Sequence, residues 1–252
     1  MYTEFIREHE PEGITVSVGG EIGEVGKQNS TEAELRAYME GFNSVLFKHN
    51  SKTIGLSKIS IQTGTSHGGV ALPDGSIASV SVDFDTMLIL SQIARIDYGM
   101  AGAVQHGAST LPEDAFGKFV KAEACEVRLA TNFQNMLYDR LPSALRNEMY
   151  AYLDEHHADE RKPDMSDDQF YYKTRKRAIG PFKDQIWHLS DDEKSKICAA
   201  WEVQFSKLFT LLGITGSKAY IDQTITSLFI KPDLKYYLTV DEMDEDVSDL
   251  AD

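Results

Sequence analysis

Short apolar runs alternate with helical stripes along the first 140 residues of the chain. Residues 14–20 (ITVSVGG) predict a strand closed by glycines. Residues 31–49 predict a helix, with Ala33, Leu35, Tyr38, Met39 and Phe42 approximating one apolar face. Ser30 or Thr31 suits its N-cap, and Glu34 supplies the acid of a capping box on Thr31. The pattern then repeats: strand 58–63, helix 85–98 with Asp85 as candidate cap, strand 101–105, a short helix opened by Pro112, strand 124–130, and a helix from about Asn132. The turns GTSHGG and PDGS follow the second strand.

Mostly apolar short strands separated by helices imply right-handed crossovers and a parallel sheet covered on both faces. From about residue 143 only helices are predicted, at 143–157, 167–178, 190–213 and 217–230. The expected division is an α/β unit at 1–141, a helical extension at 142–238 and an acidic tail at 239–252. That tail (TVDEMDEDVSDLAD) carries seven acids and no base, so it reads as solvated and disordered.

The formal net charge of -15 disfavours a nucleic-acid partner. No apolar stretch is long enough to cross a bilayer, and the N-terminus lacks the apolar core of a secretion signal. A cytoplasmic protein is expected. Cys125, in a predicted buried strand, and Cys198, in a predicted amphipathic helix, read as reduced core thiols. The basic run Tyr171–Arg177 (YYKTRKR) reads as a solvated or interface face, with an anion contact as the alternative. His156 and His157 point to different faces of a helix and read as surface or packing residues.

Candidate chemistry collects where the predicted strands end. Glu21 follows the first, His67 the second and His106 the third. In parallel α/β folds ligands bind at that edge. Each histidine precedes a glycine, which lets backbone approach a ligand and present N–H groups. Two imidazoles and a carboxylate form a competent zinc set; locally hydrogen-bonded turn histidines are the alternative. Gly68, Gly107 and Ser109 lie in turns able to cradle phosphate. Arg128 alternates with Val127 and Leu129, so it points to the opposite side. A buried arginine there needs an anion: Glu126 on its own face, or a substrate phosphate.

These segments together resemble the class II, zinc-dependent fructose-bisphosphate aldolase family, specifically the C-terminal half of its barrel. GGEIGEVG (19–26) resembles the acidic segment of strand five. QTGTSHGG (62–69) and VQHGAST (104–110) resemble the segments bearing two zinc histidines, and EVRLATNFQ (126–134) resembles the final strand. The resemblance covers about residues 14–140. It implies half of a (β/α)8 barrel, Zn2+ held by His67, His106 and Glu21, and substrate phosphate and hydroxyls held by Gly68, Gly107, Ser109, Arg128 and Thr131. It also implies cleavage or formation of a phosphorylated ketose, with dihydroxyacetone phosphate as a partner.

The chain departs from the family at several points. No segment resembles the Asp-His pair of the N-terminal half, so no catalytic acid or base is assigned, and Glu21 or Glu24 are the nearby candidates. Ala108 replaces a glycine. Arg128 and Ala130 stand where the family has asparagine and aspartate. Activity is therefore expected of a complete protein, assembled as a homo-oligomer or with an N-terminal half-barrel partner. A non-catalytic sugar-phosphate binding relative and another metal-dependent barrel chemistry, such as epimerisation, are the alternatives.

Overall fold

A computed structural model describes residues 1–23, 28–49, 52–64, 72, 81–225 and 229. Four strands, β1 (Gly19–Glu21), β2 (Lys58–Ile61), β3 (Ala103–Gln105) and β4 (Glu126–Val127), form one parallel sheet in the order β1-β2-β3-β4. Helices α2 (Glu32–His49), α3 (Phe84–Ile96) and α4 (Phe116–Lys121) carry the chain from each strand to the next, after an N-terminal helix α1 (Tyr2–His9). This is an arc of a (β/α) barrel. Helices α5 (Thr131–Arg140), α6 (Ser143–His156), α7 (Asp167–Thr174), α8 (Lys183–Trp187) and α9 (Asp191–Leu211) follow β4. Met1–Thr215 form one compact unit; beyond it the described helix is α10 (Lys218–Thr224).

The register sorts the side chains of the sheet. Ile59, Ile61 and Ala103 pack with Leu35 and Met39 of α2 and with Met87, Leu90 and Ala94 of α3. That face is the helix-covered one. Glu21, Ser60, Val104 and Glu126 are register partners in one row across all four strands. Side chains alternate along a strand, so this row faces the other way, toward the barrel interior. Barrel interiors are ordinarily filled with bulky branched side chains. Here the row holds one aliphatic residue, two carboxylates and a hydroxyl.

Local chemistry explains most boundaries. Thr31 and Glu34 form the expected reciprocal cap: the Thr31 N–H donates to the Glu34 carboxylate at 2.7 Å, and the Glu34 N–H to Thr31 Oγ1 at 3.3 Å. Helix α3 is capped by Asp83, not Asp85: Asp83 accepts from the Thr86 N–H at 2.9 Å and the Thr86 hydroxyl at 2.7 Å. Phe84 is already helical, so Asp85 lies inside the first turn. Gly19 and Gly20 form the first strand and do not terminate it. A Cβ on Gly20 would lie 2.7 Å from the Tyr38 hydroxyl and 2.8 Å from Leu56, so glycine permits the close approach of strand and helix layer. The α1 helix was not expected. Arg7 fastens it, donating to the carbonyls of Val16, Ile54 and Gly55 at 2.7, 2.9 and 3.0 Å.

The helical region has its own core. Leu137 and Tyr138 of α5, Leu145, Met149 and Leu153 of α6, and Phe170 of α7 are buried together. A third cluster joins Phe116 and Phe119 of α4 to Leu208 of α9, with Val127 and Leu129 packed against it. This last contact fixes the outward direction of Val127 and Leu129, and so the inward direction of Arg128. Cys125 is half-buried just before β4. Cys198 is exposed and is not a core thiol, because it lies on the solvent side of α9. Among the described residues no helix is long and apolar enough to cross a membrane.

Candidate functional site

His106 stands at the C-terminal end of β3, one residue beyond the last strand position. Its ring is held between two strands. Nε2 lies 2.9 Å from the Ser60 hydroxyl of β2, and Nδ1 lies 3.5 Å from Oε1 of Glu21 on β1. The His106 side chain is 15% exposed and that of Glu21 55%, so the pair opens outward through the carboxylate. Below them, the Thr63 hydroxyl donates to Gln105 Oε1 at 2.6 Å and stiffens the ends of β2 and β3 on the opposite face.

The spacing of Nδ1 and Oε1 is compatible with a shared cation. Two ligands each about 2.0–2.1 Å from a tetrahedral zinc ion sit roughly 3.4 Å apart. A ligating imidazole typically has its second nitrogen fixed by a polar group, the position Ser60 occupies here. Among the described residues no three His, Cys, Asp or Glu side chains gather at one point. His67 and Gly68 lie outside the described residues, as does Glu24. The structure thus brings together two of the three expected zinc ligands.

On the same inner face a second polar group extends to β4. Glu126 takes the Lys58 ammonium on Oε2 and Arg128 Nε on Oε1, the latter at 2.6 Å. Burial pushes the Glu126 carboxyl up, but hydrogen bonds from Lys58 and Arg128 outweigh it and hold the group below the usual carboxylate range. Arg128 is not buried: its side chain is 47% exposed, because β4 ends the sheet and no further described strand covers it. The Arg128 N–H bonds the Gln105 carbonyl at 2.9 Å, continuing the ladder, so Arg128 stands beside His106 in the next inner row.

The expected phosphate donors are partly committed. Gly107 has φ 68°, which turns the chain after His106 into a short 3-10 turn at Ala108–Thr110. Ser109 Oγ accepts from the Ala130 N–H at 2.7 Å, tying the loop after β3 to the start of α5, and retains its own hydroxyl proton for donation. Thr131 is the first residue of α5. Two clefts, of about 440 and 810 Å3, lie beside β4; Ser109 lines the first, and neither His106 nor Glu21 lines either.

Other candidates lie elsewhere. The basic run is paired within the helical region: Lys173 and Arg177 reach Glu160 at 3.3 and 2.5 Å, and Arg175 lies 4.6 Å from the Tyr172 ring centre. His156 packs against Tyr152 with tilted rings whose centres are 4.3 Å apart, and His157 lies 3.6 Å from Glu160. Two inner-face residues were not singled out from sequence, Ser60 and Lys58, whereas Glu126 is the partner of Arg128 that the shared face suggested. A signal existed for Ser60, a polar residue alternating with Ile59 and Ile61 in an apolar strand.

No family model matches the chain. Over 84% of its length it is similar to the native crystal structure of fructuronate-tagaturonate epimerase UxaE from Cohnella laeviribosi, with a TM-score of 0.54 and 14% identity. The likeness is one of fold. The chain spans about half the length of that protein, 49%. Weaker likenesses are to a protein assigned as a fructose-1,6-biphosphate aldolase from Coccidioides immitis (TM-score 0.33, 15% identity, 77% of this chain and 58% of that one) and to a probable tagatose 6 phosphate kinase from Sinorhizobium meliloti 1021 (TM-score 0.41, 14% identity, 76% and 49%). Scores this low carry no argument here.

Proposed function

We propose that this arc forms half of the active site of a zinc-dependent, aldolase-like lyase that cleaves or forms a phosphorylated ketose. The observation carrying this reading is the His106–Glu21 pair, 3.5 Å apart at the C-terminal edge of a parallel barrel arc. In it His106 and Glu21, with His67, hold Zn2+. When bound, the ion offsets negative charge developing on the substrate carbonyl oxygen. Ser60 fixes the His106 ring through Nε2. Gly107, Ser109 and Thr131 offer backbone and hydroxyl donors to the substrate phosphate, as does Gly68, which follows β2 in the sequence.

A second reading, epimerisation of a ketose, is favoured by two observations. Arg128 stands where the aldolase resemblance expects asparagine, and a fold likeness with a TM-score of 0.54 is to a fructuronate-tagaturonate epimerase. The lyase reading requires loss of a proton next to the carbonyl. Incubating the zinc-loaded protein with dihydroxyacetone phosphate in deuterated water tests this step by NMR. Deuterium should enter the carbon bearing the hydroxyl, and His106→Ala should abolish the exchange. Substrate recovered without deuterium from zinc-saturated protein contradicts the lyase reading.

A further inference from the structure

The arc has two unpaired edges, and they are unlike. Among the described strands β1 and β4 are each paired on one side only. An open edge is a template for a further strand. Glu21 stands on the inner face at the end of β1, more than half exposed, and among the described residues only the His106 ring lies beside its carboxylate. Arg128 stands on the inner face just past β4. Glu126 takes its Nε, which leaves the edge formed by the two terminal nitrogens for a second carboxylate. One edge of the arc thus ends in an acid and the other in a base.

The flanks of the two edges are complementary as well. Beside β4 the cleft of about 810 Å3 is walled by Val127, Leu129, Phe133, Phe205 and Phe209. Glu123 and Cys125, which lead into β4, also line it, so the cleft reaches the end of the sheet where strands begin. At that same end Arg7 holds α1 to the carbonyls of Val16, Ile54 and Gly55, ahead of β1 and β2. There α1 leaves Tyr2 77% and Phe5 58% exposed.

We propose that a second copy of this chain closes the barrel, the β4 edge of each copy meeting the β1 edge of the other. Two such arcs give eight strands, the number whose interior side chains just fill the space. Parallel closure brings the C-terminal strand ends together, so Arg128 of one copy meets Glu21 of the other as a forked ion pair. Tyr2 and Phe5 of that other copy enter the apolar cleft. One two-fold axis makes both seams at once. An unlike arc would have to supply an acidic edge and a basic one; this chain carries both. The partner's β4 then walls the open side of the His106–Glu21 pair, and its arginine fixes the Glu21 carboxylate.

Sedimentation velocity on the metal-stripped 252-residue chain makes the test. The ion is absent from the measurement, so failure of the zinc reading leaves the outcome untouched. The unaltered chain should be a dimer at micromolar concentration. Arg128→Glu and Glu21→Arg should each be monomers, because each sets like charges against one another at both seams. Mixed in equal amounts, the two variants should form a dimer, since both seams of the mixed pair again join acid to base. Phe209→Asp should give a monomer by placing a charge in the apolar cleft. A monomeric unaltered chain overturns the inference. So does a dimer that persists in Arg128→Glu or in Phe209→Asp, or a pair of monomeric charge variants that do not combine on mixing.

Discussion

Ser60 Oγ lies 2.9 Å from Nε2 of His106, joining neighbouring strands across the inner face while the opposite nitrogen of the ring faces Glu21. The hydroxyl fixes both the orientation of the imidazole and the nitrogen available to a ligand. Ser60→Ala should therefore lower zinc affinity by about ten-fold, the lower end of what loss of an orienting partner costs, with no change in far-ultraviolet circular dichroism. Unchanged affinity in a folded Ser60→Ala protein would remove Ser60 from the site.

Asp83 offers a test of the scaffold by pH. The Thr86 N–H and hydroxyl, with Asn29, hold its carboxyl below the ordinary aspartate value. A carboxyl depressed in the folded state stabilises above its unfolded pKa of about 3.9, and the contribution is lost as pH falls through the folded value. Asp83→Ala should cost about 1 kcal/mol at neutral pH. The gap in Tm between the two proteins should narrow as pH falls below about 3.9. A gap that stays constant into strong acid would mean that the cap does not act through its charge.

The helical core behind β4 should be sensitive to single truncations. Phe170 is fully buried among Met149, Leu153 and Ala178, and Arg161 lies 4.1 Å from its ring centre. Phe170→Ala should destabilise by about 3–5 kcal/mol, measured by urea unfolding. A loss below about 1 kcal/mol would show that these helices are not packed as described.

How much of this was legible beforehand follows from which interactions are local. The alternation of apolar runs and helical stripes is set by nearest neighbours, so the four strand–helix units, the Thr31–Glu34 cap and the helices after Pro142 could be read directly. The first strand could not be placed well. Residues 14–18 have strand composition, but the ladder begins at Gly19, because pairing with Lys58 and fit beneath Tyr38 decide it. The direction of Arg128 was legible from alternation, and Glu126 as its partner from the shared face. Its exposure was not, since that depends on β4 being the last described strand. Glu21, His67 and His106 were marked by position alone. The pairing of Glu21 with His106 needs the register of three strands, and His67 lies outside the described residues.

The most direct measurement is a zinc titration of the stripped 252-residue chain, beside Glu21→Gln and His106→Ala, with bound metal determined by elemental analysis. The proposed site requires about one zinc per chain in the unaltered protein, with affinity lowered at least ten-fold in each variant. Equal zinc affinity in all three folded proteins would contradict it, and the His106–Glu21 contact would then be a hydrogen-bonded pair with no metal role.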